Sequence, residues 1–351
     1  MDSIKVECRS RSYDVVVGQN LDDIIFEVVS DRHALIVTDN EVYSLYKDKF
    51  ERILPQAEVF EVRSGEKSKS ESALFDLLEF MIKNGYDRRS CLLAIGGGVI
   101  GDLTGFAASI YMRGIDYIQI PTTLLAQVDS SVGGKTAINL SGVKNAVGTF
   151  YQPRAVVADV DFLKSLDQRE IISGIGEIVK TAGLNEELFN FVEENMDKLK
   201  ALDLDVIEQA VTRCIKIKAD IVKEDERENK SIRNKLNLGH TIGHALEMSA
   251  RFLPKSHGEY VLIGIYFEAE IADKINRIDK AYKVRLQNLV AKALGEVPDF
   301  GSTDKIIGMA LQDKKNHDEL ISIIIPTDIG DVDEVLMDEN QLESILKEFE
   351  D

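Results

Sequence analysis

Between residues 13 and 158 the chain alternates short apolar runs with stretches of helical period, and this alternation confines the first half to an α/β layer. Residues 13–17, 34–37, 59–62, 92–95, 117–120 and 155–158 read as strands, with helical patterns at 70–84 and 103–111 between them. Strands joined by crossover helices predict a largely parallel sheet. The pattern changes near residues 159–168. Beyond it, residues 186–202, 204–224, 241–251, 260–275 and 341–349 have the period and length of helices. Residues 321–325 read as a strand-like exception, and the acidic stretch 328–340 as a solvated loop. At 351 residues two domains are expected: residues 1–165 as an α/β domain and residues 166–351 as a helical one.

Composition excludes some functions. The formal net charge of -19 argues against a nucleic-acid partner, which would need clustered Lys and Arg. Any anionic ligand must therefore be gripped by cations gathered locally. No apolar run reaches the length of a membrane span. Residues 1–10 lack the apolar core of a signal peptide, so cytoplasm is the expected compartment. Cys8, Cys91 and Cys214 are scattered and odd in number, which suits reduced thiols rather than a metal or disulfide framework.

Three segments point to chemistry. Gly96-Gly97-Gly98-Val99-Ile100-Gly101-Asp102 follows a strand and opens a helix. Glycines there permit close approach to a ligand, and a helix N-terminus favours pyrophosphate. A tight turn without a ligand is the plainer alternative. Two further strand-end loops, at Asp39 and at Glu66 to Lys69, could supply carboxylates for a ribose. The segment 121–139 is polar and too irregular for a plain strand. Its Gly133-Gly134-Lys135-Thr136 lacks the first glycine of a P-loop. Lys135, Lys144 and Asn145 could hold an anion or could simply be solvated surface. Of five histidines, His240, His244 and His257 fall close together. His240 and His244, four apart, would share a helix face and by themselves suggest two metal ligands. Glu177 is a candidate carboxylate ligand, and Arg233 a fork for phosphate or carboxylate.

Taken in order, these motifs resemble the 3-dehydroquinate synthase family over residues 34–325. Tyr111-Met112-Arg113-Gly114, Lys180, Leu236-Asn237-Leu238-Gly239-His240, His257-Gly258-Glu259 and Asp313-Lys314-Lys315 add to the resemblance. It implies an N-terminal Rossmann-like NAD-binding domain and an all-α C-terminal metal- and substrate-binding domain, with the active site in the cleft between. It also implies Zn²⁺ or Co²⁺ on Glu177, His240 and His257, leaving His244 to handle substrate or protons. NAD would meet Asp39, Glu66, Lys69, Gly97, Gly98, Asp102, Thr122, Thr123, Leu125, Asp129, Lys135, Lys144, Phe162 and Ser165. Substrate would meet Asp129, Lys135, Asn145, Lys180, Lys218, Arg233, Asn237, His244 and one or both of Lys314 and Lys315. Arg113 would reach a neighbouring subunit's site, so a homodimer is expected.

The implied reaction takes 3-deoxy-D-arabino-heptulosonate 7-phosphate, a small sugar phosphate acid, to 3-dehydroquinate and phosphate. It proceeds by oxidation at C5, phosphate elimination, re-reduction and aldol closure. Val143, Gly176 and Ser165 depart from the family pattern. Rival expectations are another sugar phosphate cyclase of inosose or valiolone type, a glycerol-1-phosphate-type dehydrogenase, and a non-catalytic binding protein. Retention of Arg233, Asn237 and His244 favours an acid substrate.

Overall fold

The computed structural model describes residues 1–29, 32–249, 255–298 and 320–349. The chain divides into two compact units: Met1–Leu166 with Ile207–Arg227, and Asp167–Val206 with Glu228–Asp351. The expected boundary at 165/166 thus needs amending, because one helical stretch of the second half returns to the first unit.

The first unit is built on a seven-stranded sheet. Its strands are β1 (Asp2–Val6), β2 (Tyr13–Gly18), β3 (Ala34–Asp39), β4 (Glu58–Val62), β5 (Cys91–Gly96), β6 (Asp116–Pro121) and β9 (Ala155–Asp159). The order is β1-β2-β9-β6-β5-β3-β4, parallel throughout except for the β1–β2 pair. The six strands expected from the sequence are all present, and β1 adds an unforeseen edge. The interior strands are apolar on both faces because both faces are covered. Leu35, Val37, Leu92, Ala94 and Tyr117 pack on one side with Leu77, Leu103 and Ala107. The alternate residues Ile36, Leu93, Ile95, Ile118 and Val157 pack on the other with Ile25 and Phe50. Each Leu, Ile, Val or Phe among them contributes about 1.5–3 kcal/mol on burial.

The helices of this unit are α1 (Asp22–Val29), α2 (Asn40–Ile53), α3 (Glu71–Lys83), α4 (Gly98–Ile110) and most of α7 (Leu204–Glu224). From β3 the chain moves outward to β4, then returns to place β5 on the other side of β3. The direction of winding therefore reverses between β3 and β5, and a ligand crevice is expected outside the carboxyl ends of those two strands. A second sheet, β7 (Lys135–Leu140) with antiparallel β8 (Val143–Phe150), occupies part of the segment expected to be irregular. The rest of that segment includes a π-helical turn, Ala126–Ser130.

The second unit contains α5 (Gln168–Ala182), α6 (Glu186–Lys200), α8 (His240–Ser249), α9 (His257–Lys274) and α10 (Lys280–Leu294), and ends in α11 (Glu339–Lys347). It is not all-α. Strands β10 (Ile321–Asp328) and β11 (Asp331–Met337) form an antiparallel hairpin. The acidic stretch expected to be a loop is thus largely strand. Val332 and Met337 are buried, and Val335 pairs with Ile323. Ile321, Ile323 and Ile325 pack with Ile242, Phe267, Leu342 and Leu346.

Candidate active site

In the first unit, the expected cofactor residues gather at strand ends. Asp39 closes β3 and caps α2, accepting hydrogen bonds from the Glu41 and Val42 amides at 3.0 Å each. Gly97 is the N-cap of α4 and no side chain caps that N-terminus with a hydrogen bond. A Cβ at Gly97 would lie 3.1 Å from Thr123 Cγ2, and one at Gly98 would lie 3.1 Å from Ser130 Oγ. With no capping side chain, the amides of this N-terminus are able to face an anion. Thr122, Thr123 and Leu125 follow β6, whose last residue pairs with Gly96. Phe162 and Ser165 lie in the short helical turn after β9, and Tyr46 donates to Ser165 Oγ at 2.8 Å.

A polar network ties the loop after β4 to the β7–β8 hairpin. Lys69, buried, pairs with Asp102 on α4 and donates to Asn145 Oδ1. The Asn145 amide donates to Asn139 Oδ1 at 2.9 Å, and Asn139 Nδ2 donates to Glu66 Oε1 at 2.8 Å. Burial raises the Asp102 carboxyl above its ordinary value, while Lys69 opposes that shift. Lys218 on α7 donates to the Asp129 carbonyl at 2.6 Å and pairs with its carboxylate at 3.0 Å. This contact shows why part of α7 belongs with the first unit. Lys135 and Lys144 are exposed. Arg113 is exposed with left-handed φ of 70°, just beyond α4.

In the second unit the residues that converge are far apart in sequence. Glycine contacts bring their helices together. A Cβ at Gly258 (α9) would sit 1.9 Å from the Ser173 carbonyl (α5), and one at Gly176 (α5) 2.3 Å from the Gly258 carbonyl. A Cβ at Gly264 (α9) would sit 1.9 Å from the Gly239 carbonyl, at the entry to α8. Three helices therefore touch backbone to backbone, which no larger residue at these positions allows. Glu268 on α9, fully buried, fixes the same entry by accepting from the Gly239 amide at 2.5 Å and the Ile242 amide at 3.4 Å.

This packing places Glu177 (α5), His240 and His244 (α8) and His257 (α9) at one point. Glu177 Oε1 is 3.2 Å from His257 Nε2 and 3.7 Å from His240 Nε2. Its Oε2 pairs with Lys180 Nζ at 2.5 Å, and both side chains are buried. The far nitrogens of the two rings have partners of their own. His240 Nδ1 lies 3.1 Å from the Leu238 carbonyl, and His257 Nδ1 lies 3.3 Å from Glu247 Oε2. Such outer partners orient a ligating imidazole and fix its tautomer.

Ring nitrogens of His240, His244 and His257 also lie within 4.8 Å of one another. The first pairing suggested by sequence, His240 with His244, is thus geometrically open alongside the set with Glu177. Burial holds the His240 imidazole well below its usual pKa. Burial also disfavours charge on His257, but hydrogen bonds to Glu177 and Glu247 overcome it and raise that imidazole to about 9. Arg233 and Asn237 lie in the short helical turn before α8, with Arg233 buried and its Nε 3.9 Å from Glu228. Lys314 and Lys315 lie outside the described residues. Sequence reasoning missed Glu247, Glu268 and Asn139. Glu247, three residues beyond His244 on α8, was the one with a usable signal.

Family models for the N-terminal and C-terminal parts of 3-dehydroquinate synthase match residues 59–173 and 174–316. The 3-dehydroquinate synthase of Alkaliphilus metalliredigens is 42% identical over 99% of this chain and 98% of its own length. The chain belongs to the 3-dehydroquinate synthase family. Solved structures of other sugar phosphate cyclases share the fold of this synthase family member. One is 2-deoxy-scyllo-inosose synthase complexed with carbaglucose-6-phosphate, NAD⁺ and Co²⁺, at TM-score 0.89 and 25% identity, covering 99% of this chain and all of that one. Another is 2-epi-5-epi-valiolone synthase from Streptomyces hygroscopicus subsp. jinggangensis with NAD⁺ and Zn²⁺, at TM-score 0.86 and 26% identity, covering 98% of each chain.

Proposed function

We propose that this chain converts 3-deoxy-D-arabino-heptulosonate 7-phosphate to 3-dehydroquinate and phosphate, as an NAD- and metal-dependent lyase of the shikimate pathway in the cytoplasm. The observation that carries the reading is the convergence of Glu177, His240 and His257 beside buried Lys180 in a chain of this family. Four-coordinate zinc with bonds of about 2.0–2.1 Å places neighbouring donors roughly 3.3 Å apart. The 3.2 and 3.7 Å separations from Glu177 Oε1 suit that spacing, so the residues present fit the ion. When bound, NAD supplies a transient hydride acceptor and the divalent ion supplies Lewis acidity.

The chain's own residues do the rest. Amides at Gly97 and Gly98 receive a pyrophosphate, while Asp39 and Glu66 offer carboxylates to ribose hydroxyls. Thr122, Thr123, Leu125, Phe162 and Ser165 border the same ligand. Lys144 lies with the cofactor set, while Lys135, Asn145, Lys180, Lys218, Arg233 and Asn237 grip the phosphate and carboxylate ends of the substrate, so that its C5 is held in one orientation. Asp129 pairs with Lys218, and His244 handles a proton next to the ligand set. The reading requires both groups of residues to act on one substrate. Arg113 serves the site of a second copy in a homodimer. Exposed Ile110 and Met112 on either side of the α4 end support a partner there.

The test is phosphate release from heptulosonate phosphate, sedoheptulose 7-phosphate and glucose 6-phosphate in parallel. Turnover of the heptulosonate alone is expected; preference for a sugar phosphate without the carboxylate would move the chain to the inosose or valiolone type. Lys135→Ala should abolish most turnover with the fold intact.

A further inference from the structure

Five arginines from four separate stretches of the chain gather at the amino-terminal ends of strands in the first unit's sheet. Parallel strands all start at one edge, so residues just before them become neighbours. Arg11 precedes β2, Arg154 precedes β9, Arg88 and Arg89 precede β5, and Arg32 precedes β3. In the strand order, β6 lies in the midst of these, and its first residue is Asp116. Arg11 and Arg32 each pair with one oxygen of Asp116 at 2.8 Å, and Arg154 approaches at 3.4 Å. One carboxylate thus answers three guanidiniums. Arg89 has Asp87 only at 3.8 Å. Four of the five, with Asp116, border a cavity of about 540 Å³ lined by Arg32, Arg88, Arg89, Asp116, Tyr151 and Arg154, with Gly114 and Ile115.

An excess of cations around a cavity is unexpected in a chain of net charge -19. Arginine forks match phosphate oxygens bidentately. The volume falls within the range of small-ligand sites. Asp116 holds the inner guanidiniums in place, while Arg88 and Arg89, on an exposed turn, are placed to close over an anion. We propose that this edge binds a small polyphosphate or phosphate ester carrying at least two negative charges. The site is separate from the Gly97–Gly98 loop, which stands at the carboxyl ends of the same strands.

The experiment is calorimetric titration of pyrophosphate into the full chain carrying NAD and one bound Zn²⁺ with excess ion removed, and the arginine site is read as the binding that differs between two proteins sharing the same substrate grip. It is repeated with the Arg88→Glu, Arg89→Glu double variant. The wild type should bind one pyrophosphate beyond the substrate grip, and the double variant should bind that further one at least roughly tenfold more weakly, with unchanged turnover and thermal midpoint. Equal affinity in both proteins, or no binding by the wild type, would overturn the proposal. A parallel titration with a tricarboxylate separates phosphate recognition from charge alone. Tighter tricarboxylate binding would overturn the phosphate assignment.

Discussion

The two groups of site residues are assembled in opposite ways. In the first unit they sit on loops at strand ends, where the sheet needs only a turn and a helix start. In the second, Glu177, His240 and His257 depend on three helices touching through glycine. The first arrangement tolerates side-chain adjustment; the second rests on backbone contacts that have nowhere to move. Function is therefore expected to fail by different routes when each is disturbed.

The sharpest way to break this contrast is a methyl group. Gly258→Ala would place a Cβ 1.9 Å from the Ser173 carbonyl. It should cost 3 kcal/mol or more, on the order of severe overpacking, and should disperse the histidine cluster. Gly98→Ala meets only the rotatable Ser130 hydroxyl at 3.1 Å. It should leave the thermal midpoint nearly unchanged while weakening NAD binding. Unfolding scans with NAD titrations on both variants decide the matter, and similar stability losses would erase the distinction.

Next in size is the outer partner of His257. Glu247→Gln should weaken Zn²⁺ retention about 10–100-fold, read by chelator competition, with little change in fold. Retention equal to wild type would mean that Glu247 does not orient the ring.

The smallest effect concerns the first unit's arginine edge. Burial raises the Asp116 carboxyl, but Arg11, then Arg32 and Arg154, hold it below its ordinary value. A depressed folded pKa gives stability that is present above the unfolded value and lost as pH falls through the folded one. Asp116→Asn should therefore cost up to about 1 kcal/mol at neutral pH, and the gap should close in acid. Urea midpoints across that range check the sign.

The same contrast explains what could be read in advance. Local spacing exposed the strand-end loops, since Gly97, Thr122 and Asp39 lie beside runs whose period is plain. The β7–β8 hairpin escaped because every residue of β8 is exposed, leaving no apolar alternation to see. β11 escaped because Asp331, Asp333 and Glu334 hide the alternation that buries Val332. Periodicity found α7 but not its allegiance, which long-range ties such as Lys218 to Asp129 decide. Glu177 was a candidate ligand by residue type, but its grouping with His240 and His257, 63 or more positions away, was legible only through resemblance. Glycine contacts leave no period, and Glu268 looks like any helix carboxylate until its burial is known.

The most direct test of the whole account follows phosphate and reduced nicotinamide together as the protein turns over heptulosonate phosphate with limiting NAD. Many phosphates should appear per NAD, with no accumulation of NADH, and metal-stripped protein should stay silent until Zn²⁺ or Co²⁺ is restored. NADH rising in step with product, or phosphate release indifferent to NAD, would contradict it.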